Sequence, residues 1–482
     1  MHRIVKYATR FMLAATMAIA SQGALAQTYD CPASASWVSA PNPPQEVPLG
    51  ANADFCQFYQ FSWQWFLQLV SPSANPSIRN FQVAANFPLL EGDIDGVIQN
   101  SCDSDAPPTR MFVRTLKAVD AKGQFVLPER IDQAGSGPIY DQNGNVVFYD
   151  VRFSKNLCSI GKIQSQSNFP SGTTEIKSAW RIITDQQKAN YFWMTANVDG
   201  VPGDETLGLI GFHLVRATAL HPEFVWSTFE HKDNVPDCDS PQAPPAAGWS
   251  FTSAACASQL ANLFAGPYSV ANPGNCVFNV GPASGGLTGT PTQICRQFAD
   301  ATASTDLKAS KNVGAINDLN DQLVGPSGIL TQLPASNPMS VWKNYVNIGA
   351  IWESDTTQPS SNIGNQRGSM RLANSVLETT FQGGFSAGQP FSSNCFGCHN
   401  YSTSASNTLP SSDLSHIFDD IMGGQCNNAS DVNAGPIFSN AQAQTVCPQT
   451  CANVGGWNGQ WTTTQPGVMS VCGCCGVPGG GH

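Results

Sequence analysis

The sequence predicts an α+β fold in which a β-rich body is followed by a helical C-terminal region. Between residues 105 and 235, several segments alternate apolar and polar side chains as strands do. Apolar residues then recur at helical spacing around 315–325, 338–353 and 371–382. The chain also has 16 cysteines, which predict a disulfide-rich protein.

The first 26 residues have the pattern of a secretory signal peptide. Basic residues precede the apolar stretch FMLAATMAIA (11–20), and Ala24-Leu25-Ala26 fits the small-residue cleavage rule. We therefore expect the mature chain to begin near Gln27 and to be periplasmic or secreted. The apolar stretch is shorter than the roughly 20 residues that a spanning helix needs, so no transmembrane segment is expected in the mature chain.

Residues 27–235 are expected to form the β-rich body, with an aromatic helix near its start. In DFCQFYQFSWQWFLQLV (54–70), apolar side chains at helical spacing predict a buried helix. An Asn-Gly turn signal precedes an alternating run in DQNGNVVFYDVRF (141–153). LGLIGFHLVRAT (207–218) and EFVWSTFEH (223–231) predict a pair of buried strands.

Three regions follow the body. Residues 236–330 are rich in Cys, Pro and Gly, and they predict an irregular insertion tied by disulfides. Residues 331–425 carry most of the helical patterns, and residues 426–482 form a Cys- and Gly-rich tail. Apart from Cys395 and Cys398, which belong to the motif described below, we expect the cysteines to be disulfide-bonded, because that is their usual state in an oxidising compartment.

The pairing of these cysteines does not follow from their spacing. Within the insertion, sequence neighbours such as Cys238 with Cys256, or Cys276 with Cys295, are only a guess. The tail has six cysteines within 50 residues, which could bind copper or zinc as thiolates. Their even number and the expected export favour three disulfides instead: the six are Cys426, Cys447, Cys451, Cys472, Cys474 and Cys475.

One short motif indicates a cofactor in the 331–425 region. FSSNCFGCHNYS (391–402) contains C-x-x-C-H, formed by Cys395, Cys398 and His399. This is the attachment pattern of c-type haem, in which two thiols form thioethers and the histidine ligates the iron. The alternative is two disulfide cysteines that happen to precede a histidine. Because the chain has an export signal, we predict one covalently bound haem c.

The sixth ligand of the iron would decide which chemistry the haem supports. His213, within a predicted strand, and His416, 17 residues after the motif, are the first candidates. Met422, on the same predicted helix as His416, is the third candidate, and Met469 is a further one. A lone histidine in an apolar strand is more often a core residue than a ligand, so the choice stays open.

A polar group at a predicted strand end is a second candidate site. Glu230, His231, Asp233 and Asn234 stand together in WSTFEHKDNVP (226–236). Such a cluster could hold a metal ion or supply an acid and a base. The same residue types are ordinary in a turn that ends a strand, and we favour the turn.

These features favour an exported c-type cytochrome that transfers single electrons. The length of the chain and the polar group near His231 favour, as a first alternative, a peroxidase-like haem oxidoreductase with an open distal site. A haem-based small-ligand binding or sensing protein is the second alternative. The net charge of −11 argues against nucleic acid as a partner and would suit a basic redox partner protein.

Several sequence blocks resemble those of a known group of proteins. They are IKSAW (176–180), GFHLV (211–215), WSTFEHKDNVP (226–236), WKNYVNIGAIW (342–352), LANSVLETTFQ (372–382) and SSNCFGCHN (392–400). In these blocks the chain resembles exported bacterial monohaem proteins of the cytochrome c family. The resemblance implies one haem c attached through Cys395, Cys398 and His399. It does not extend to the minimal cytochrome c domain or to the tail after about residue 420.

Overall fold

The structure is a computed structural model that describes much of the chain between residues 30 and 474. The described residues are 30–47, 55–83, 85–87, 138–156, 169–197, 203–238, 242–260, 276–281, 287–296, 307–360, 362, 364–370, 372–379, 394–399, 414, 430–451, 457–465 and 467–474. The predicted signal peptide lies outside these residues. Within them, no helix is both long enough and apolar enough to cross a membrane.

The described part of the chain has more strand than helix. Its α-helices are α1 (Ser36–Ser39), α2 (Phe55–Val70), α3 (Ala254–Ala257), α4 (Leu307–Val324), α5 (Cys395–Cys398) and α6 (Asn440–Cys451). Its strands are β1 (Phe148–Phe153), β2 (Thr174–Ile182), β3 (Trp193–Asn197), β4 (Asp204–Arg216), β5 (Val225–His231), β6 (Tyr345–Glu353), β7 (Gln366–Gly368), β8 (Ser430–Gly435), β9 (Trp457–Gln465) and β10 (Met469–Cys474). The predicted aromatic helix and the predicted pair of buried strands are confirmed as α2, β4 and β5.

Seven strands form one antiparallel sheet in the order β1-β2-β4-β5-β6-β7, with β3 paired to the first part of β4. Lys177 on β2 and Thr228 on β5 both stand opposite His213 on β4. Val215 stands opposite Trp226. Because directly opposed side chains point to the same side of a sheet, these five residues share one face.

The other face of this sheet packs on α2 and forms the largest apolar core. Phe66 of α2 stacks on Phe229 of β5, with ring centroids 4.0 Å apart. Phe58 stacks on Trp352 of β6 at 3.7 Å. Each large side chain buried in this way stabilises the fold by roughly 1.5–3 kcal/mol. The helix therefore holds the sheet rigid, and the opposite face is left to carry a site.

The predicted helical C-terminal region is wrong. A helix was expected over 338–353, but a 3-10 helix at Ser340–Asn344 leads directly into β6. In the second expected helix, over 371–382, residues 372–374 are irregular, residues 375–378 form a turn and a bend, and of the described residues only Thr379 is helical. Strand β6 is rich in β-branched and aromatic residues and is buried along nearly its whole length, so it lacks the period-two alternation that marks a half-exposed strand. The described chain is thus β-rich and antiparallel rather than α+β with a helical haem-bearing end.

The prediction of a disulfide-rich protein is confirmed. The described disulfides are Cys31–Cys56, Cys238–Cys295, Cys256–Cys276, Cys447–Cys472 and Cys451–Cys474. In the insertion the pairs are nested, so the guessed pairs of Cys238 with Cys256 and Cys276 with Cys295 are wrong. The described residues of the insertion before α4 are mostly turns and isolated bridges, as its composition indicates.

The tail forms a small module in which helix α6 packs on a three-stranded antiparallel sheet of order β8-β10-β9. Two disulfides join α6 to β10, which favours the disulfide interpretation over a metal site. Cys426 and Cys475 lie outside the described residues. The apolar cluster of the module takes every buried member from the tail itself: Ile437, Ala443, Cys447, Cys451, Cys472 and Cys474.

Candidate functional site

A cavity that is partly open to solvent lies against the face of the large sheet that α2 leaves uncovered. Concave sites with apolar walls and a few polar groups are the usual sites for small molecules and cofactors. Strands β2, β4 and β5 form one wall, and residues 372–378 and 394–399 form the others. The lining residues are Lys177, His213, Val215, Trp226, Ser227, Leu372, Glu378, Asn394, Cys395 and His399.

The C-x-x-C-H segment forms the one-turn helix α5 beside this cavity, and Asn394 holds it in place. Asn394 Oδ1 accepts a hydrogen bond from the Phe396 N–H at 3.0 Å, as an N-cap residue does. Asn394 Nδ2 donates to Gln366 Oε1 and to the Met370 carbonyl, both at 2.8 Å. The side chain of Phe396 is buried. The motif is therefore anchored to the body on both sides of its turn.

His399 is oriented by its backbone partner. Its Nδ1 donates to the Leu414 carbonyl at 2.9 Å, and its ring lies 4.5 Å from the Trp226 ring. Donation from Nδ1 places the lone pair on Nε2, which is the form in which imidazole ligates a metal. Cys395 lines the same cavity, while the side chain of Cys398 lies outside what the structure describes.

His213 and Glu378 form a hydrogen-bonded pair in the cavity wall. Glu378 Oε2 also accepts the Asn374 N–H at 2.9 Å. Burial raises the pKa of Glu378, but the charge and hydrogen bond of His213, the Asn374 N–H and the charge of Lys177 together lower that pKa by more. The pKa of this carboxyl group thus lies below its usual value. Glu378 is a carboxylate at neutral pH, and it accepts the Nε2–H of His213.

The residues at the cavity fit the haem that the motif predicts. Cys395 and His399 are a thiol and an imidazole, the donor types of a c-type haem, and both line the cavity. The apolar part of the wall suits a flat apolar macrocycle and comes from Val215, Trp226 and Leu372. Lys177 could pair with a carboxylate of such a ligand. The attachment of haem through Cys395, Cys398 and His399 stays a prediction.

The candidates for a sixth ligand are placed differently by the structure. His213 lines the cavity together with His399. His416 and Met422 lie outside the described residues. Met469 lies on β10 of the tail module and is not part of the cavity wall. Among the candidates that the structure describes, only His213 therefore lies near the motif.

The polar group near His231 is structural. The Asn234 N–H donates to the His231 carbonyl at 3.1 Å, which closes a turn. His231 Nε2 donates to the Asn190 carbonyl at 2.9 Å, and burial lowers the pKa of His231 to about 3. Glu230 is paired with Arg296 at 3.0 Å. Among the described residues, no group of three or more His, Cys, Asp or Glu side chains is arranged to hold a metal ion.

Three residues around the cavity were missed in the sequence. The sequence does indicate a role for Asn394, because asparagine is a favoured N-cap residue directly before a helical turn. The sequence gives no indication of a role for Glu378 or Asn374, because their hydrogen-bond partners are distant in the chain. Glu378 meets His213 across 165 positions, and Asn374 meets Thr228 across 146.

The tail module has an exposed aromatic side chain next to polar strands. Phe438, between β8 and α6, is 70% exposed, and its N–H donates to Gln442 Oε1 at 3.0 Å. The adjacent Ile437 N–H donates to Ser470 Oγ, which lies 3.3 Å from Thr463 Oγ1. The residues 462–464, on the edge strand β9, are exposed threonines. An aromatic ring and the hydroxyl group of Thr463 therefore lie near one end of this module.

Comparison with known proteins points to the tail. Residues 440–474 match the family model of mannan-binding protein (MVL). Lectin MVL from Microcystis viridis is 52% identical over 42 residues, which are 8% of this chain and 37% of the lectin. The chain thus spans little more than a third of the curated relative that it matches. No solved structure matches the chain.

These findings correct the predicted relationship and the predicted function. The resemblance to monohaem cytochrome c family proteins is wrong, since the comparisons match the tail to a mannan-binding protein and match no part of the chain to a cytochrome c relative. The predicted electron-transfer cytochrome, with a haem oxidoreductase or haem sensor as alternatives, is overturned by the same match, which is to a mannan-binding protein and a lectin and not to a haem protein. The match covers the tail and bears on no cofactor in the body.

Proposed function

We propose that the tail module, residues 430–474, binds a mannose-containing polysaccharide. The observation that carries this proposal is the match of residues 440–474 to mannan-binding protein, together with 52% identity to a lectin over 42 residues. The match coincides with a folded unit that has its own apolar cluster and two disulfides. A unit of this kind can present a binding surface without help from the rest of the chain.

The surface of the module suits a sugar. A hexose ring has an apolar C–H face and a rim of hydroxyl groups, so it needs an aromatic surface together with polar side chains. Phe438 supplies an exposed ring, and Thr463, which is linked to the adjacent Ile437 through Ser470, supplies a hydroxyl group. The disulfides hold α6 against β10, which lowers the entropy cost of ordering the surface on binding.

Binding of the full-length protein to immobilised mannan tests this proposal. We expect the parent protein to bind, and Phe438→Ala to weaken binding by about tenfold or more, because an aromatic anchor at a binding surface commonly contributes that much. The ring is mostly exposed, so its removal should leave the fold intact. Leu220→Ala is the matched control, since Leu220 is an apolar residue of the body that is 39% exposed.

Two results would contradict parts of this proposal. If the parent binds mannan no better than it binds dextran, a glucan, then the module is not a mannose-specific binder. If Phe438→Ala binds mannan as the parent does while the module is folded, then the sugar contacts another surface of the module.

We propose separately that the body carries one haem c attached through Cys395, Cys398 and His399. The cavity beside the motif and the orientation of His399 support this. Each thiol would add its S–H bond across one haem vinyl group to form a thioether, and His399 Nε2 would ligate the iron. A bound haem would supply a redox-active iron at the cavity. We assign the cofactor alone and propose no reaction for it.

The cellular location and the protein partner also stay proposals. Covalent attachment of haem takes place outside the cytoplasm, so we propose export with cleavage near Ala26 and a periplasmic or secreted location. A basic partner protein is suggested by the net charge of −11 alone.

The pyridine haemochrome spectrum of the full-length protein tests the cofactor proposal. The protein should be made in a bacterial host that has the haem-attachment machinery. We expect one haem per chain that survives acid–acetone extraction, and complete loss of covalent haem in Cys395→Ser with Cys398→Ser. Chains that carry no haem under these conditions would rule the cofactor out.

A further inference from the structure

A buried glutamine of the body is joined to the start of the C-x-x-C-H turn. We propose that Gln366, on the edge strand β7, is a positioning residue for the haem site. Through Asn394, which lies 28 positions further along the chain, it holds the turn against the sheet with Cys395 and His399 at the cavity. This inference rests on the haem c proposed above, and it adds a residue from outside the motif to that site.

The motif turn is too short to be stable by itself. Helix α5 (Cys395–Cys398) has four residues, which make about one turn. Helices shorter than about 12 residues are marginal in water, because the first turn costs more entropy than its hydrogen bond returns. Contacts with the body must therefore hold the turn in its place.

A buried chain of hydrogen bonds supplies one of these contacts. Asn394 Nδ2 donates to Gln366 Oε1 at 2.8 Å, and Gln366 Nε2 donates to the Ser360 carbonyl at 2.7 Å. Asn394 Oδ1 accepts the Phe396 N–H at 3.0 Å. Both amide side chains are 3% exposed, so a bond broken here leaves a buried polar group without water to replace its partner. The body is therefore joined to the first turn of the motif by bonds that are costly to break.

The sheet places Gln366 on the same side as the cavity. Gln366 stands opposite Glu353 on β6, and Ile351, two residues before Glu353, stands opposite Trp226 on β5. Because alternate residues of a strand point the same way, Gln366 and Trp226 share one face of the sheet. The Trp226 ring lies 4.5 Å from the ring of His399. The body thus meets the motif at two places on one sheet face.

The two contacts do different work. Phe396 packs edge to face on Trp226 with ring centroids 6.3 Å apart, and Cys395 packs against the same apolar cluster. Apolar burial is not directional, whereas hydrogen bonds have a preferred distance and angle. The bonds of Asn394 and Gln366 therefore fix the orientation of the turn, as outer partners do for the ligands of a metal. Without Gln366 the turn should loosen, and a bound haem should be more exposed to water.

Hydrogen–deuterium exchange of the full-length protein tests the first step. We expect residues 394–399 to exchange about tenfold faster in Gln366→Ala than in the parent, because losing a buried hydrogen bond lowers the cost of local opening. Asn394→Ser keeps a side-chain cap but loses the bonds to Gln366 and to the Met370 carbonyl, so its exchange should be at least as fast. Gln358→Ala is the matched control, since Gln358 is an exposed glutamine between β6 and β7, and it should exchange as the parent does.

The reduction potential of the haem-loaded protein tests the role toward the cofactor. Ferric haem carries one more positive charge than ferrous haem, so contact with water favours the ferric form and lowers the potential. Gln366→Ala and Asn394→Ser should therefore have lower potentials than the parent and keep one covalent haem per chain. Combining the two changes should add nothing to Asn394→Ser, because both break the same contact. Gln358→Ala should keep the potential of the parent.

Two outcomes would overturn this inference. One is unchanged exchange of residues 394–399 in both variants, which would mean that the turn is held without Gln366. The other is faster exchange with an unchanged reduction potential, which would leave Gln366 a structural residue only. If Gln366→Ala does not fold, Asn394→Ser decides through the same two measurements. A parent that carries no haem would instead reject the cofactor proposal, and the role of Gln366 toward haem with it.

Discussion

At the scale of single residues, buried acidic groups give this protein a measurable pH dependence. Glu353, at the end of β6, has no exposure to solvent, and its N–H lies 3.3 Å from Glu223 Oε1. Burial, and then the negative charge of Glu223, raise the pKa of Glu353 to about 9. Glu353 is therefore protonated at neutral pH in the folded protein.

The raised pKa predicts that Glu353 destabilises the fold as the pH rises. The unfolded chain releases the proton near pH 4.5, whereas the folded chain keeps it to about pH 9. Stability should be unaffected below the lower pH and should fall between the two, by at most about 1.4 kcal/mol per pH unit. Glu353→Gln has no proton to release, so it should remove this slope. Urea unfolding at about pH 5 and about pH 8 measures it.

Asp204→Asn is the control, because Asp204 is an exposed carboxyl group at the start of β4. It should keep the slope of the parent. Equal slopes in the parent and in Glu353→Gln would show that Glu353 does not hold a proton in the folded state.

The residue scale also marks the limit of what the sequence predicts about the site. Cys395, Cys398 and His399 are recognisable because they form a known motif within five positions of the sequence. Glu378 and Asn374 are not, because their roles depend on His213 and Thr228, which lie far away in the chain. A contact between residues that only the sheet brings together leaves no local pattern in the sequence.

At the scale of secondary-structure elements, prediction succeeded where the apolar residues recur with the period of the element. Helix α2 has an apolar face that packs on the sheet, so its spacing identified it. Strand β6 was predicted as a helix because its apolar residues are buried on both faces, which hides the period of two. Its state is fixed by pairing with β5 and β7, which is tertiary information.

The pairing of β6 with β7 depends on a glycine. Gly368 has φ +94°, and a Cβ at this position would lie 2.2 Å from the Ala350 carbonyl oxygen and 2.6 Å from the Trp352 ring. We therefore expect Gly368→Ala to destabilise the protein by more than about 1 kcal/mol through backbone strain and the clash combined. Gly203→Ala is a matched control, because Gly203 has φ +91° and no atom within 4 Å of the added Cβ.

Thermal unfolding of both glycine variants separates the two effects. Gly203→Ala reports the backbone strain alone, and Gly368→Ala should have a clearly lower midpoint. If the two variants unfold at the same temperature, then the approach of β7 to β6 is looser than the contacts at Gly368 indicate.

At the scale of the whole molecule, the tail module and the body have separate cores. Among the described residues, the four apolar clusters of the body contain none from 430–474, and the cluster of the tail contains no buried residue from the body. The two disulfides of the tail join α6 to β10 and so stay within the module. Each part thus has its own source of stability, which agrees with the proposal that the tail is a separate binding unit added to a cavity-bearing body.

Separate cores predict that the body survives removal of the tail. A chain that ends at residue 429 should keep the thermal unfolding midpoint of the body and, if the cofactor proposal holds, its haem, because none of its apolar clusters is cut. The same chain should lose all binding to mannan. Differential scanning calorimetry and mannan pull-down on the parent and the shortened chain measure the two properties independently. Loss of cooperative unfolding in the shortened chain would mean that the tail contributes to the core of the body, and retained mannan binding would place the sugar site outside residues 430–474.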